Sequence, residues 1–300
     1  MLFIWWFLFN YSYILNCGTH HGFWSALYQS NNTVLYFFSM LFVLALILFS
    51  GLQLYRQNVT ISSEYLIFVC LIIFSSYILI SSSNLFLTIF LLEVIALLIF
   101  GKFTVTRLFT NNNLAVTSKT NSLFLNQFSY GLFNSLFFQF WANFVSSTCL
   151  FFSLINLHYS YGTSNFFMLN FFFSVVNSNW YVPEIFNSFN LIVLITGFFI
   201  KLGLSPYQFF KIETYKGIPV YTVIVYTTLY LAVYIYFFIY LFIYQVPFIR
   251  DSTNMYVLMF VALSVLYVFS LLFDTKNFKA FLSYSTLITV LNILLVVLTI

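Results

Sequence analysis

Long apolar runs, one after another, constrain this chain more than any other feature. A helix needs about 20 apolar residues to cross a bilayer, and runs near that length occupy residues 33–55, 65–82, 84–101, 131–157, 187–205, 219–247, 253–273 and 281–300. In hydrocarbon every backbone N–H and C=O must be bonded internally, which for such runs means helices. Only 5% of the 300 residues are charged and 62% are hydrophobic, so the polar surface that a soluble domain of this size requires is missing. The expectation is an all-α, polytopic membrane bundle. Residues 3–16 are apolar but too short to assign as a span.

Charge placement tests this count. If every run from residue 33 onward crosses, one side receives Arg56, Lys102, Arg107, Lys119, Lys211, Lys216, Lys276 and Lys279. The other side receives Arg250, offset by Asp251 and Glu184. Such one-sided Lys/Arg placement is what the positive-inside rule requires, and it places the basic side in the matrix or cytoplasm with Ile300 opposite. The polar stretch 104–127, with Asn111, Asn112 and Asn113, reads as the longest extramembrane loop. Residues 159–186 read as a second connection, aromatic enough to lie along the interface or re-enter.

The remaining basic residue, Lys201, lies within GFFIKLGLSPYQFFKIETYKGIPV, residues 197–220. A lysine near the bilayer centre costs at least about 2.5–3.5 kcal/mol, and Pro206, five residues on, deletes a helical hydrogen bond at a cost of about 3 kcal/mol. Freed backbone groups in a membrane must be met by protein or by a wet cavity. Interrupted helices carrying an ionisable group build mid-membrane ion sites in transporters. Lysine snorkelling and a plain helix end remain the alternative.

Glu93, in NLFLTIFLLEVIALLIFGK, is the other charge deep within a run. A buried ammonium and a buried carboxylate each favour the charged form of the other, and separation or hydration releases that bias. Glu93 and Lys201 therefore form a candidate proton relay, with a static ion pair that fixes helix packing as the alternative. Lys102 reads as an interfacial anchor, and His158 as a helix-end residue.

Other residue types carry less. With 44 Phe and 23 Tyr, aromatic content reads as the coding bias of an AT-rich gene, and no single aromatic stripe stands out. Cys17, Cys70 and Cys149 are scattered and form neither a disulfide framework nor a metal cluster, and Cys17 with His20 and His21 lacks a partner motif. The opening MLFIWWFLFNYSYIL has no basic n-region or small-residue cleavage site and is not a transit peptide. Synthesis inside an organelle is the expectation.

Three segments in order, LFLTIFLLEVIALLIFGKF, FIKLGLSPYQFFKIETYKGIPV and TKNFKAFLSYSTL, resemble motifs of NADH dehydrogenase subunit 2. That family is the antiporter-like membrane subunit of respiratory complex I. The middle segment is similar to its FKLGL-x-P-F-H-F-W…D-x-Y-x-G-x-P-x-P pattern. Glu93 then takes the place of the family glutamate, Lys201 that of the broken-helix lysine, and Pro206, Gly217 and Pro219 its turn positions. Lys279, Tyr284 and Ser285 match the third segment. The resemblance covers about residues 65–300.

It implies two inverted repeats of five helices, each with a broken helix. Residues 1–64 would be an N-terminal segment with at least one membrane helix, 65–247 a complete repeat, and 248–300 the first two helices of an incomplete second repeat. A separate polypeptide completing that repeat is expected. The family's lysine on the helix after the break has no counterpart in TVIVYTTLYLAVYIYFF, that on the helix after the glutamate helix is replaced near Gln139, and the later histidine falls near Thr289.

The function so implied is a proton-translocating subunit of NADH:ubiquinone reductase in the mitochondrial inner membrane, without a complete active site of its own. The implied partners are other membrane-arm subunits and membrane lipids, and no nucleic acid. NADH, FMN, iron–sulfur clusters and ubiquinone would reside on other subunits, with no cofactor or metal site here and room only for a structural phospholipid. The alternatives are a non-pumping scaffold subunit of the same complex and a stand-alone cation/proton antiporter.

Overall fold

A computed structural model describes residues 32–55, 63–115, 122–176, 184–204, 207–218, 220–241, 247–273, 275 and 277–299. Residues 3–16, Cys17, His20, His21, Pro206 and Pro219 lie outside that set. The described chain is all helix, with no strand beyond one isolated bridge. In order it runs α1 (Asn32–Tyr55), α2 (Ser63–Ser81), α3 (Leu85–Ala115), α4 (Ser122–Tyr161), α5 (Phe166–Val176), α6 (Glu184–Leu202), α7 (Phe209–Gly217), α8 (Val220–Val225), a π-helical turn (Tyr226–Tyr230), α9 (Leu231–Tyr240), α10 (Pro247–Leu272) and α11 (Phe278–Thr299). Among the described residues six stretches are long and apolar enough to cross a membrane: Glu64–Ser81, Leu85–Val105, Phe133–Tyr161, Thr222–Ile239, Met255–Leu272 and Phe278–Leu295. The shorter Phe37–Leu48 and Phe189–Leu202 are also apolar.

Helix boundaries depart from the hydropathy reading where polar residues follow an apolar run. The expected loop over 104–127 is mostly helical: α3 continues to Ala115 and α4 begins at Ser122. At 1.5 Å per residue, the 31 residues of α3 reach well past a hydrocarbon core of about 30 Å. A helix that leaves the bilayer keeps its backbone bonds, so Thr and Asn there need not end it. The second connection holds the 11-residue α5.

Two tight turns meet at one end of the bundle. Asn84 and Asn165 form an antiparallel bridge, with Leu85 N–H donating to Ser164 O at 2.8 Å and Phe166 N–H to Ser83 O at 3.1 Å. Each Asn also accepts from the backbone N–H two residues on, at 3.0 Å, which caps α3 and α5.

Buried serines and threonines need no functional account. Ser76, Thr88, Ser153, Ser264 and Ser283 each donate to the carbonyl three residues earlier at 2.6–2.8 Å, which satisfies the hydroxyl inside its own helix. One continuous core joins all the major helices. α4 lies along both halves of the broken helix, α6 and α7, while α11 packs on α10 and α7. Phe137, Phe140, Trp141 and Phe144 on α4, with Met255, Met259 and Leu266 on α10, point outward, as lipid-facing side chains do.

Candidate functional site

The break in the helix is built by glycine. α6 ends at Leu202 and Gly203 adopts φ 70°, a left-handed conformation open to glycine at no steric cost. Leu204 N–H reaches Phe199 O at 2.9 Å and Gly203 N–H reaches Ile200 O at 3.0 Å, the paired bonds of a Schellman cap. From sequence Pro206 is the expected breaker, yet a glycine two residues after a lysine in an apolar run is a stop signal in its own right, and among the described residues it is Gly203 that turns the chain.

Beyond the break, α7 ends at Gly217. A Cβ there would collide with Gly131 O and would lie 2.6 Å from Ser135 Cβ, so the absence of a side chain sets the approach of α7 to α4. Ile218 is extended, at φ −92° and ψ 149°, as a residue before proline prefers.

Lys201 occupies the last turn of α6, where the helix dipole favours a cation. Its Nζ donates to Glu93 Oε1 of α3 at 2.6 Å. The lysine side chain is fully buried and the glutamate 22% exposed. The two charges singled out from sequence, 108 positions apart, thus form one ion pair at the end of a half-helix.

Two further lysines are buried, against expectation. Lys211, assigned from sequence to the basic side, is 1% exposed and its Nζ donates to Leu202 O at 3.1 Å. It holds a carbonyl that the end of α6 leaves free. Lys102, read as an interfacial anchor, is 3% exposed and sits 5.2 Å from the centre of the Tyr65 ring, within cation–π range. It lies inside α3 rather than at its end. Lys279 donates to Ile218 O at 2.8 Å and Lys216 O at 3.3 Å, so it ties α11 to the end of α7. His158 and Thr289 are exposed.

Around the break, Gln208 is completely buried and neither side-chain amide atom has a hydrogen-bond partner among the described residues. Gln139 of α4 is 1% exposed with Oε1 unpartnered. A buried amide without a partner costs about 1–3 kcal/mol, and buried water is the usual remedy.

A polytopic helical bundle, a helix interrupted at a glycine cap, and a Lys–Glu pair at the interruption together define an antiporter-like membrane protein. Residues 129–300 match the NADH:quinone oxidoreductase/Mrp antiporter transmembrane family, and the chain belongs to that family. The fold agrees. A chain of respiratory complex I from Thermus thermophilus with bound aureothin superposes with a TM-score of 0.64 over 93% of this chain and 54% of that one, at 17% identity. A chain of the archaeal membrane-bound sulfane sulfur reductase superposes with a TM-score of 0.61 over 85% and 48%, at 16% identity. An uncharacterised mitochondrial protein, ORF4, of Paramecium tetraurelia is 37% identical over 84 residues, 27% of this chain and 53% of that protein. The chain spans about half the length of these relatives.

Proposed function

We propose that this chain is the subunit 2 type of antiporter-like subunit in the membrane arm of NADH:ubiquinone oxidoreductase, seated in the mitochondrial inner membrane. In this role it moves protons as quinone is reduced, with Lys201 and Glu93 as the switching pair. The observation that carries the reading is the 2.6 Å ion pair at the end of a half-helix. Family membership, the complex I fold match and the mitochondrial relative support it.

The chemistry follows from burial. While paired, both groups hold their charges; protonating Glu93 removes the countercharge and frees Lys201 to give up or re-aim its proton. One charge moved through 100 mV is worth about 2.3 kcal/mol, a driving force able to bias such a pair. Glu93 is the less buried member of the pair.

In this reading flavin, iron–sulfur and quinone chemistry belongs to other subunits, and the chain contributes to the reductase without an active site of its own.

The test replaces Lys201 with Met, and separately Glu93 with Gln, in the assembled complex. Proton transfer per NADH oxidised should drop in both while assembly on a native gel persists. Unchanged proton transfer in Lys201→Met would falsify the pumping role. A second reading, a scaffold that moves no protons, draws on the absence of any lysine in residues 222–238, the helix after the break; it expects both variants to affect assembly alone.

A further inference from the structure

The helix after the break lacks an ionisable lysine, yet its buried face is not apolar. Tyr226, Tyr230 and Tyr234 are 2–3% exposed and stand one above the next, with ring centres 4.6 and 4.3 Å apart. Their side chains follow one another in order along the helix, Gln139 beside Tyr226, Tyr226 beside Tyr230, and Tyr230 beside Tyr234. Tyr234 then donates a long bond, 3.4 Å, to Leu92 O, one residue before Glu93. The Glu93 carboxylate lies within electrostatic reach of both Tyr230 and Tyr234. At the other end the Tyr226 ring is 5.9 Å from that of Tyr215, the residue before Lys216 on α7.

The backbone is arranged to keep this row straight. Four residues of α-helix overshoot a full turn by about 40°, so three tyrosines at that spacing would wind off the face. Tyr226–Tyr230 is instead a π-turn, a wider turn that rotates the first interval back. Leu231 N–H bonds to Tyr226 O, five residues earlier, and the Thr227 and Thr228 hydroxyls both donate to Ile224 O, at 2.9 and 2.8 Å. Such π-turns are frequent at functional sites. A chain with 44 Phe could fill this space with phenyl rings and leave no buried hydroxyl to satisfy.

We propose that Tyr226, Tyr230 and Tyr234 conduct protons between the Lys201–Glu93 pair and the α7 end where Lys216 and Lys279 lie, in the position where an ionisable lysine is missing. The row spans about 12 Å along the helix axis. A proton delivered by water at the Gln139 end forms a new O–H bond on Tyr226 as the old hydroxyl proton passes to Tyr230. Tyr230 passes its own to Tyr234, and Tyr234 gives its proton to the Glu93 carboxylate through one water. Every phenol ends neutral, one proton has moved, and the hydroxyls rotate back before the next. Once protonated, Glu93 no longer pairs with the Lys201 ammonium, which couples the row to the switch.

The proposal rests on the pumping reading, and its test separates the two. In membranes holding the assembled complex, the loss of proton transfer in Lys201→Met defines this chain's share. Tyr230→Phe keeps the ring stack and removes one hydroxyl; it should lower that share at least twofold with NADH oxidation by uncoupled membranes unchanged. Tyr236→Phe, on the same helix but stacked on Phe37 at 3.7 Å, should lower nothing. A full share in Tyr230→Phe overturns the row while leaving the Lys201–Glu93 switch intact, whereas no loss in Lys201→Met removes both. Should Tyr230→Phe fail to assemble, the wild-type complex is measured in mixtures of light and heavy water. The part of the dependence of proton transfer on deuterium fraction that is lost in Lys201→Met belongs to this chain: a bowed difference reports several protons moving together and supports the row, and a straight one overturns it.

Discussion

Two Lys–Glu pairs in this protein have nearly the same geometry and opposite surroundings. Lys201–Glu93 closes at 2.6 Å with the lysine fully buried; Lys216–Glu213 closes at 2.7 Å with both side chains about 40% exposed. Distance alone would rank them equal. Water decides otherwise: an exposed pair exchanges hydration for contact at little net gain, whereas a buried ion has already lost its hydration and depends on its partner. Only the buried pair responds strongly to a change at either member, which is the property a switch requires. Lys211 falls between them, as buried as Lys201 but bonded to the Leu202 carbonyl rather than to a carboxylate. Its role is to close a helix end.

The sharpest way to break this contrast is Glu93→Ala. It strands the Lys201 ammonium in the bundle and should destabilise the subunit by about 3–5 kcal/mol, the cost of uncoupling a buried pair from one side. Thermal stability of the purified complex, read at this subunit by limited proteolysis, checks it. Replacing both members with Gln and Met should recover most of the loss, and failure of that recovery would mean the pair is not what holds α3 to α6. Lys211→Met comes next. It leaves the Leu202 carbonyl without its donor and should cost about 1–3 kcal/mol while leaving proton transfer per turnover intact in complexes that do assemble. A pumping defect at wild-type stability would place Lys211 in the relay instead. Gly203→Ala should cost at least about 1–2 kcal/mol because an L-residue is forced left-handed, and the added carbon, 2.8 Å from Lys211 Cδ, also presses on the buried side chain that holds the Leu202 carbonyl. Melting of the purified complex checks it.

How much of this could be read from sequence depended on what each residue stood out against. Glu93 and Lys201 were legible because two charges inside runs of Leu, Ile and Phe have few explanations. The spans were legible for the same reason, but their ends were not: hydropathy marks where a helix leaves lipid, not where its hydrogen bonds stop, so the overhang of α3 to Ala115 was lost. The burial of Lys102 and Lys211 was hidden because a lysine near a span end looks the same whether it snorkels or turns inward to a ring or a carbonyl. The tyrosine row was hidden by background. Against 23 Tyr and 44 Phe, aromatic residues looked like coding bias, although Tyr at 226, 230 and 234 recurs at helical spacing on the helix that lacks a lysine. The π-turn that aligns the row has no sequence signature beyond Thr227 and Thr228.

Glu213→Gln tests the weak side of the comparison. Lys216 and Glu213 stand three apart on α7, so the pair interacts within one helix and ties nothing across the bundle. Neutralising Glu213 should cost about 0.2–0.5 kcal/mol, a loss that shrinks further as salt is raised because both charges face water. Lys279 limits any wider effect: its ammonium already holds the Lys216 and Ile218 carbonyls, so the end of α7 stays fixed when the Lys216 side chain is released. A melting shift in Glu213→Gln as large as that of Glu93→Ala, insensitive to salt, would mean that both pairs are equally dehydrated in the assembled membrane. The contrast drawn from burial would then belong to the isolated chain alone.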